Sequence, residues 1–422
     1  TTEHVTKGYA HALCAQIAMQ RAGWAIRETA KEGYETAAEN SDPTYPTQRP
    51  AAADRTKFYK IALQNLNEVI NSGVHKLNPS FENEWYLVNQ RKLDTEYQEN
   101  LFEIPMGLNK SGERGYTVGV RVEAKTNKYG PKGNSSGKIK TTAPLFWSFD
   151  KKDPRRDITC VPYQIKNNGG LTKETFDSNK PFELYIGKWD VRKMTEDWRD
   201  AACASTEKVP TGINEIKMRY SQVLLNYAEC INELNGPDDA TDGAGLTARQ
   251  ALALVHTRAF EENAKSAAQD YVNSLPTDKE GFFNAIVDEN AWEFTGEGVR
   301  KFDLERWNLL SSKIDEFKAK YQEEINEYPD KLYYKEIKDE EGNISIDMNS
   351  VCWYAVPSST SGYKSANWWG AGNENKKQEN LLKKLPYISA GLNTTVKNRY
   401  LLPIATSTIA DSRNMIKNSY GF

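Results

Sequence analysis

Glu293 and Glu297 stand four residues apart on one predicted helical face. Two carboxylates at that spacing could act together as the acid and base of a glycosidase. The same block carries Arg300, Asp303 and Arg306 at three- and four-residue intervals, set among Trp292, Phe294, Phe302 and Trp307. Carboxylates interleaved with arginines are neutralised and held ionised, whereas a general acid needs a raised pKa. The spacing therefore favours Glu297, Arg300, Asp303 and Arg306 as ion pairs bracing helices, with Phe302 and Trp307 in the core. Acid–base chemistry remains the rival reading.

Other catalytic signals are thin. His4, His11, His75 and His256 are scattered, with no H-E-x-x-H and no Cys/His grouping, so no metal site is expected. Gly133-Asn134-Ser135-Ser136-Gly137-Lys138 is one residue short of phosphate-loop spacing, and Ile139 stands where Ser or Thr is required. Neither G-x-G-x-x-G nor G-x-S-x-G occurs, and no cofactor is expected. Asp238, Asp239 and Asp242 could hold a hard cation such as calcium, or form a solvated turn. The cysteines (Cys14, Cys160, Cys203, Cys230, Cys352) are odd in number and widely spaced. Cys14 and Cys230 read as small buried hydrophobes, and a Cys160–Cys203 bridge stays open.

The composition narrows the class. The chain has 422 residues, with 55 Lys+Arg against 58 Asp+Glu and a net charge of -3. That balance gives no basic field for nucleic acid. No apolar run approaches the roughly 20 residues that cross a bilayer. Ten Trp and 22 Tyr supply rings with an apolar face and a polar edge, suited to a surface that meets polar ligands.

The elements that must position these residues read as mainly helical. Tyr9, Leu13, Ile17 and Trp24 recur at near-helical spacing, with Gly23 breaking the run into a helical hairpin. A second helix starts near Asp54 along Phe58, Ile61, Leu66, Val69 and Ile70, and stops at Gly73. Leu101–Pro105 reads as a short strand, followed by a polar, weakly periodic excursion from Gly107 to Thr142. Helical pattern resumes at Ile216 and stops at Gly236-Pro237, with a partner helix from Thr247 to Phe260. Another pair runs from Asp278 to Leu310, interrupted near Thr295-Gly296. The last hundred residues read as irregular, with Trp353, Trp368 and Trp369 in loops and a final strand Tyr400–Ile404. Small residues such as Ala10, Ala12 and Ala15 suit antiparallel helix pairs of the tetratricopeptide kind.

Asn100–Pro105, Asp153–Arg156, Arg219–Glu229 and Glu293–Trp307, taken together, resemble segments of the SusD/RagB family of Bacteroidetes outer-membrane nutrient-binding lipoproteins. Glu293-Phe294-Thr295-Gly296-Glu297-Gly298 followed by Arg300-Lys301-Phe302-Asp303-Leu304-Glu305-Arg306-Trp307 resembles the family's E-F-x-G-E-G-x-R-x-F-D-L-x-R-W block. Thr6-Lys7-Gly8, Asn100–Pro105, Asp153-Pro154-Arg155-Arg156, Arg219–Glu229, Tyr400–Ile404 and Asn418–Phe422 resemble further family segments in the family's order. Ser358–Thr395 matches no family block.

The resemblance implies a mainly α, SusD-like fold: one domain of tetratricopeptide-type helical pairs with long loop-rich excursions and a few short strands. Within it, 1–75 would be tetratricopeptide-like helices and 76–213 a loop-rich ligand side. Residues 214–310 would be helical scaffold and 311–422 an irregular C-terminal part. In the family a longer N-terminal portion, carrying the signal, the lipid-bearing Cys and more repeat helices, precedes the T-K-G helix. Part of the scaffold and of any ligand site is thus expected outside this sequence. The implied function is non-enzymatic capture of an oligosaccharide at the surface of the outer membrane, and its delivery to a SusC-like TonB-dependent transporter. Peptide capture by the same fold, a glycosidase using Glu293 and Glu297, and a plain tetratricopeptide adaptor are the rivals. Position and side-chain chemistry then nominate Tyr116 and Tyr129 for stacking on sugar rings. Arg121, Asn134 and Lys138 are nominated for polar groups, and Trp368 and Trp369 as a further contact surface.

Overall fold

Thr6 opens the first helix, α1 (Lys7–Ala22), by accepting a hydrogen bond from the Tyr9 backbone N–H at 3.0 Å. The buried face of α1 is made of Ala12, Ala15, Ala18, Met19 and Ala22, and these small side chains let α2 (Ala52–Asn71) lie close against it. Leu13 and Ile17, the residues expected to face the core, are exposed instead. Nor does a hairpin follow at Gly23. The chain first forms a small antiparallel sheet, β1 (Ala25–Ile26), β2 (Tyr34–Thr36) and β3 (Thr47–Pro50), before α2 returns along α1.

In the computed structural model, residues 1–123, 125–129, 135–177, 184–204, 210–367, 377–389 and 396–422 are described. After α3 (Phe81–Asn89), strand β4 (Asn100–Ile104) appears where the sequence predicts one. The excursion after it is folded inward: Val118 bridges Ile139, and Val122 bridges both Ser135 and Ile165, burying Val120 and Val122. It leads through β5 (Lys140–Thr141) to two short helices, α4 (Ala143–Ser148) and α5 (Arg155–Thr159). The strands β6 (Cys160–Val161), β7 (Tyr163–Asn168), β8 (Leu171–Phe176) and β9 (Leu184–Ile186) follow. Strands β7 and β8 are joined at Gly169-Gly170, both at positive φ, as a tight hairpin requires.

Beyond α6 (Glu196–Cys203), the residues read as the start of a helix at Ile216 form β10 (Glu215–Arg219), antiparallel to β4. The helix itself is α7 (Tyr220–Asn235), buried along most of its length and stopped at Gly236 (φ 96°). Against α7 pack α8 (Ala248–Arg258), which starts in a Thr247/Gln250 capping box, and α10 (Lys279–Phe294), while α9 (Lys265–Ser274) packs on α8. Then come α11 (Arg300–Arg306) and α12 (Leu310–Glu324). Helices α1, α2, α7, α8 and α10 share one core.

The C-terminal part is more regular than its sequence suggests. The strands β11 (Lys331–Lys338), β12 (Ile344–Asp347) and β13 (Lys364–Asn367) complete a five-stranded sheet of order β13-β11-β12-β8-β7, in which only β12 and β8 run parallel. Trp353, read as a loop residue, is buried in the core formed by α4, α12, this sheet and α13 (Lys377–Ile388). Tyr400–Ile404 is not a strand; it leads without ladder pairing to α14 (Thr406–Asp411). Phe302 is 59% exposed rather than in the core, whereas Trp307 is half-buried, edge-on to Phe283. All five cysteines are free thiols; Cys230 is buried as expected, Cys14 is exposed, and Cys160 and Cys203 are not bridged. Among the described residues, no helix is long and apolar enough to cross a membrane.

Candidate functional site

The motif residues converge on one buried ionic network. Arg219, at the end of β10, donates to Glu99 at 2.7 Å, Glu293 at 2.9 Å and both oxygens of Glu297 at 2.8 Å. Arg258 on α8 reaches Glu99 at 2.9 Å and Glu293 at 2.7 Å. Arg155 on α5 pairs with Asp153 at 2.8 Å, Glu289 at 2.6 Å and Glu293 at 3.0 Å. Lys188 donates to Glu297 and to the Glu293 carbonyl, each at 2.6 Å. A neighbouring cluster holds Arg306 between Glu229 and Asp303, with the Tyr59 hydroxyl donating to Glu229 at 3.0 Å.

A tight turn makes this convergence possible. Gly296 and Gly298 both have φ of 84°, and a Cβ on Gly296 would lie 2.5 Å from Ile186. The chain can thereby reverse between α10 and α11 and set Glu297 against Lys188 and Arg219. The Arg219 guanidinium lies 5.3 Å from the ring centres of both Trp85 and Phe294, which belong to different hydrophobic cores. The network therefore joins the helical core to the core beneath the sheets.

Electrostatics assign these carboxylates a structural role. Burial opposes charge on Glu293, yet Arg258, Arg219 and Arg155 hold its carboxyl well below the ordinary range. Glu297 is also lowered, by Arg219 and Lys188 against the cost of burial. Both oxygens of Glu293 are taken up by guanidinium groups. A general acid must hold a proton near neutral pH, and neither residue does. The helical bracing read from the sequence is correct in kind, but the partners differ. Glu297 pairs with Lys188 and Arg219, and Arg300 donates to the Val287 carbonyl and to Asn290. In the acidic turn, Asp238 is engaged by Arg249 and Asp239 caps Thr241.

Elsewhere, three open clefts adjoin one another along α4. The first, of 580 Å³, is lined by Phe149, Lys151, Lys152, His256, Tyr271 and Trp292. The second, of 640 Å³, shares Ser148 and Trp292 with the first and Trp147 with the third. The third, of 690 Å³, contains Trp147, Glu324, Tyr328, Asp330 and Tyr354. The Trp147 ring stacks on Tyr328 at 5.4 Å and meets the edge of Tyr354 at 5.5 Å. Tyr354 is 48% exposed, and its hydroxyl accepts from Arg156 at 2.5 Å. The Trp292 indole N–H donates to the Ser148 hydroxyl at 3.0 Å, fixing the ring between two of the clefts. Fixed aromatic faces beside carboxylates and ammonium groups can hold a flat, hydroxylated ring on its C–H face and by its edge.

The residues nominated from sequence fare unevenly. The 135–139 segment runs beside Tyr116, whose carbonyl accepts from the Ser136 and Gly137 backbone N–H groups, and Gly137 abuts Arg121. Tyr116, Arg121 and Lys138 are thus brought near one another; Tyr116 and Arg121 are half-buried and Lys138 is exposed. Arg121 lies 3.6 Å from Glu123. Tyr129 is only 5% exposed and sits in a core with Trp189 and Ile165, so it has no free face for stacking. Asn134, Trp368 and Trp369 lie outside the described residues. The sequence reading did not single out Trp147, Tyr354, Tyr271 or His256 as lining a cleft. The aromatic run Leu145-Phe146-Trp147-Ser148-Phe149 was the available signal for the first.

The fold and motif placement define a member of a known family. Residues 81–422 match the SusD family, to which this chain belongs. A SusD-like protein of Formosa agariphila is 36% identical over 173 residues, covering 41% of this chain and 27% of that protein. A SusD homologue from Bacteroides thetaiotaomicron superposes with a TM-score of 0.55 at 20% identity, covering 76% of this chain and 57% of the homologue. A surface glycan-binding protein A from the same organism gives 0.49 at 17% identity, over 99% of this chain and 64% of that one. The chain thus spans only part of the length of the relatives it matches.

Proposed function

We propose that this protein captures oligosaccharides at the outer surface of the outer membrane and passes them to a SusC-like TonB-dependent transporter, without chemical change to the glycan. The observation that carries the reading is Trp147, half-buried and stacked on Tyr328, at the point where two open clefts meet. Side chains fixed by packing beside open clefts lose little freedom when a ligand enters. Membership of the SusD family supports the same reading. Tyr116, Arg121 and Lys138 remain a second, more polar patch for the same ligand. Enzymatic use of Glu293 and Glu297 has no support in their protonation or access. A glycan array followed by calorimetry on the purified chain tests the proposal. Saturable binding of at least one oligosaccharide, which is recovered uncleaved, is the expected result. Absence of binding to any glycan, with tight binding of peptides, would replace it with peptide capture.

A further inference from the structure

His256 is 4% exposed and lies on the floor of the 580 Å³ cleft between α8, α9 and the chain following α4. Its Nδ1 is 2.7 Å from a carboxylate oxygen of Glu289, and Glu289 is itself held at 2.6 Å by Arg155. An ionised carboxylate accepts only, so Nδ1 carries the hydrogen, and among the described residues no group hydrogen-bonds Nε2. The imidazole is wedged among rings: Tyr271 at 4.9 Å, Phe260 at 5.1 Å and Trp292 at 6.1 Å between centroids. The lining continues with Ser148, Phe149, Ala264, Ala267 and Ala268, and the charged run Asp150-Lys151-Lys152-Asp153 closes one side. Burial raises the Tyr271 phenol to about 12, so its hydroxyl stays protonated.

We propose that this cleft is a second sugar-binding site in which a pyranose ring lies against Trp292 or Tyr271 and one of its hydroxyls pairs with His256 Nε2. The inference rests on the glycan-capture reading. It assigns to that reading a cleft and a polar anchor that no motif marks. A hydroxyl both donates and accepts, so it matches Nε2 whether the imidazole is neutral or charged. A carboxylate or sulfate would need the imidazole protonated. Glu289 and Arg155 fix the ring orientation from behind, so the anchor is preorganised by the same network that joins the two cores.

The test uses laminari-, xylo-, manno- and galacturono-oligosaccharides as probes, with titration of the best-bound member into variants. Ala267→Trp fills the cleft from its exposed wall without touching the network, and His256→Gln removes the imidazole. Ala267→Trp should weaken binding at least tenfold with an unchanged melting temperature, and His256→Gln severalfold. Should His256→Gln fail to fold, Ala267→Trp decides alone. Wild-type affinity in Ala267→Trp, together with loss of affinity in Trp147→Ala, overturns the second site and leaves glycan capture standing. Failure of every probe to bind the wild-type chain removes both.

Discussion

Glu84 on α3 is 1% exposed, and among the described residues neither of its carboxylate oxygens has a hydrogen-bond partner. Burial, reinforced by the negative charge of Glu99, pushes its carboxyl well above the ordinary range. The folded chain therefore keeps a proton that the unfolded chain releases near pH 4.5. Because the folded pKa is the raised one, stability contributed by this group is greatest below that value and falls as pH rises toward the folded pKa. The slope is about 1.4 kcal/mol per pH unit. Glu84→Gln cannot ionise and should lack this decline. Melting curves between pH 5 and 8 should show the variant gaining on the wild type as pH rises, and a pH-independent difference would refute the argument. The same scale shows what was legible in sequence. The spacing of Glu293, Glu297, Asp303 and Arg306 announced ion pairing. It could not announce that Glu297 is satisfied by Lys188 and Arg219, which are 109 and 78 residues away in the chain.

At the scale of elements, α1 shows why a reading by hydrophobic size misses a face. Leu13 and Ile17 suggest an apolar stripe, yet alanines make the contact with α2, because close approach of two helices selects small side chains over large ones. Ala15→Leu should therefore destabilise the chain by about 1–3 kcal/mol through overpacking, read as a lowered denaturant midpoint. Ile17→Ser, on the exposed face, should shift it by less than about 0.5 kcal/mol. Equal effects from the two would mean that the faces are assigned the wrong way round. The long helices α7, α8 and α10 were legible because their caps and stops agree with their periodicity. The sheet strands were not, since β10 adjoins α7 without a break, β13 pairs with β11 over up to 36 residues, and β12 pairs with the distant β8. The hairpin at Gly169-Gly170 went unread, because its strands carry little apolar alternation beside the paired glycines.

At the scale of the molecule, one ionic network joins the cores, and its chemistry sets the acid limit of the fold. Burial works against Glu289, Glu293 and Glu297, but their arginine, lysine and histidine partners lower all three. Groups with depressed folded pKa values contribute stability that is present above the unfolded value of 4.5 and is lost as pH falls through the folded values. Unfolding midpoints should accordingly drop steeply below about pH 4.5, and Glu297→Gln should lessen that drop while lowering stability at neutral pH. A wild-type midpoint that holds constant from pH 5 to pH 3 would contradict this role for the network.

The motif residues hold the fold, while the open clefts line α4 and touch the network through Asp153 and through His256, which pairs with Glu289. Sequence motifs located the network and were silent on the clefts, because these are assembled from α4, α8, α9, α10, α12 and the loop after β12, far apart in the chain. The most direct measurement is calorimetric titration of the best-bound oligosaccharide into wild type, Trp147→Ala and Glu297→Gln. A ring–sugar contact worth about 0.5–1.5 kcal/mol predicts a roughly two- to tenfold weaker affinity for Trp147→Ala, with unchanged affinity for the folded fraction of Glu297→Gln. Wild-type affinity in Trp147→Ala, with affinity lost in Glu297→Gln, would contradict it.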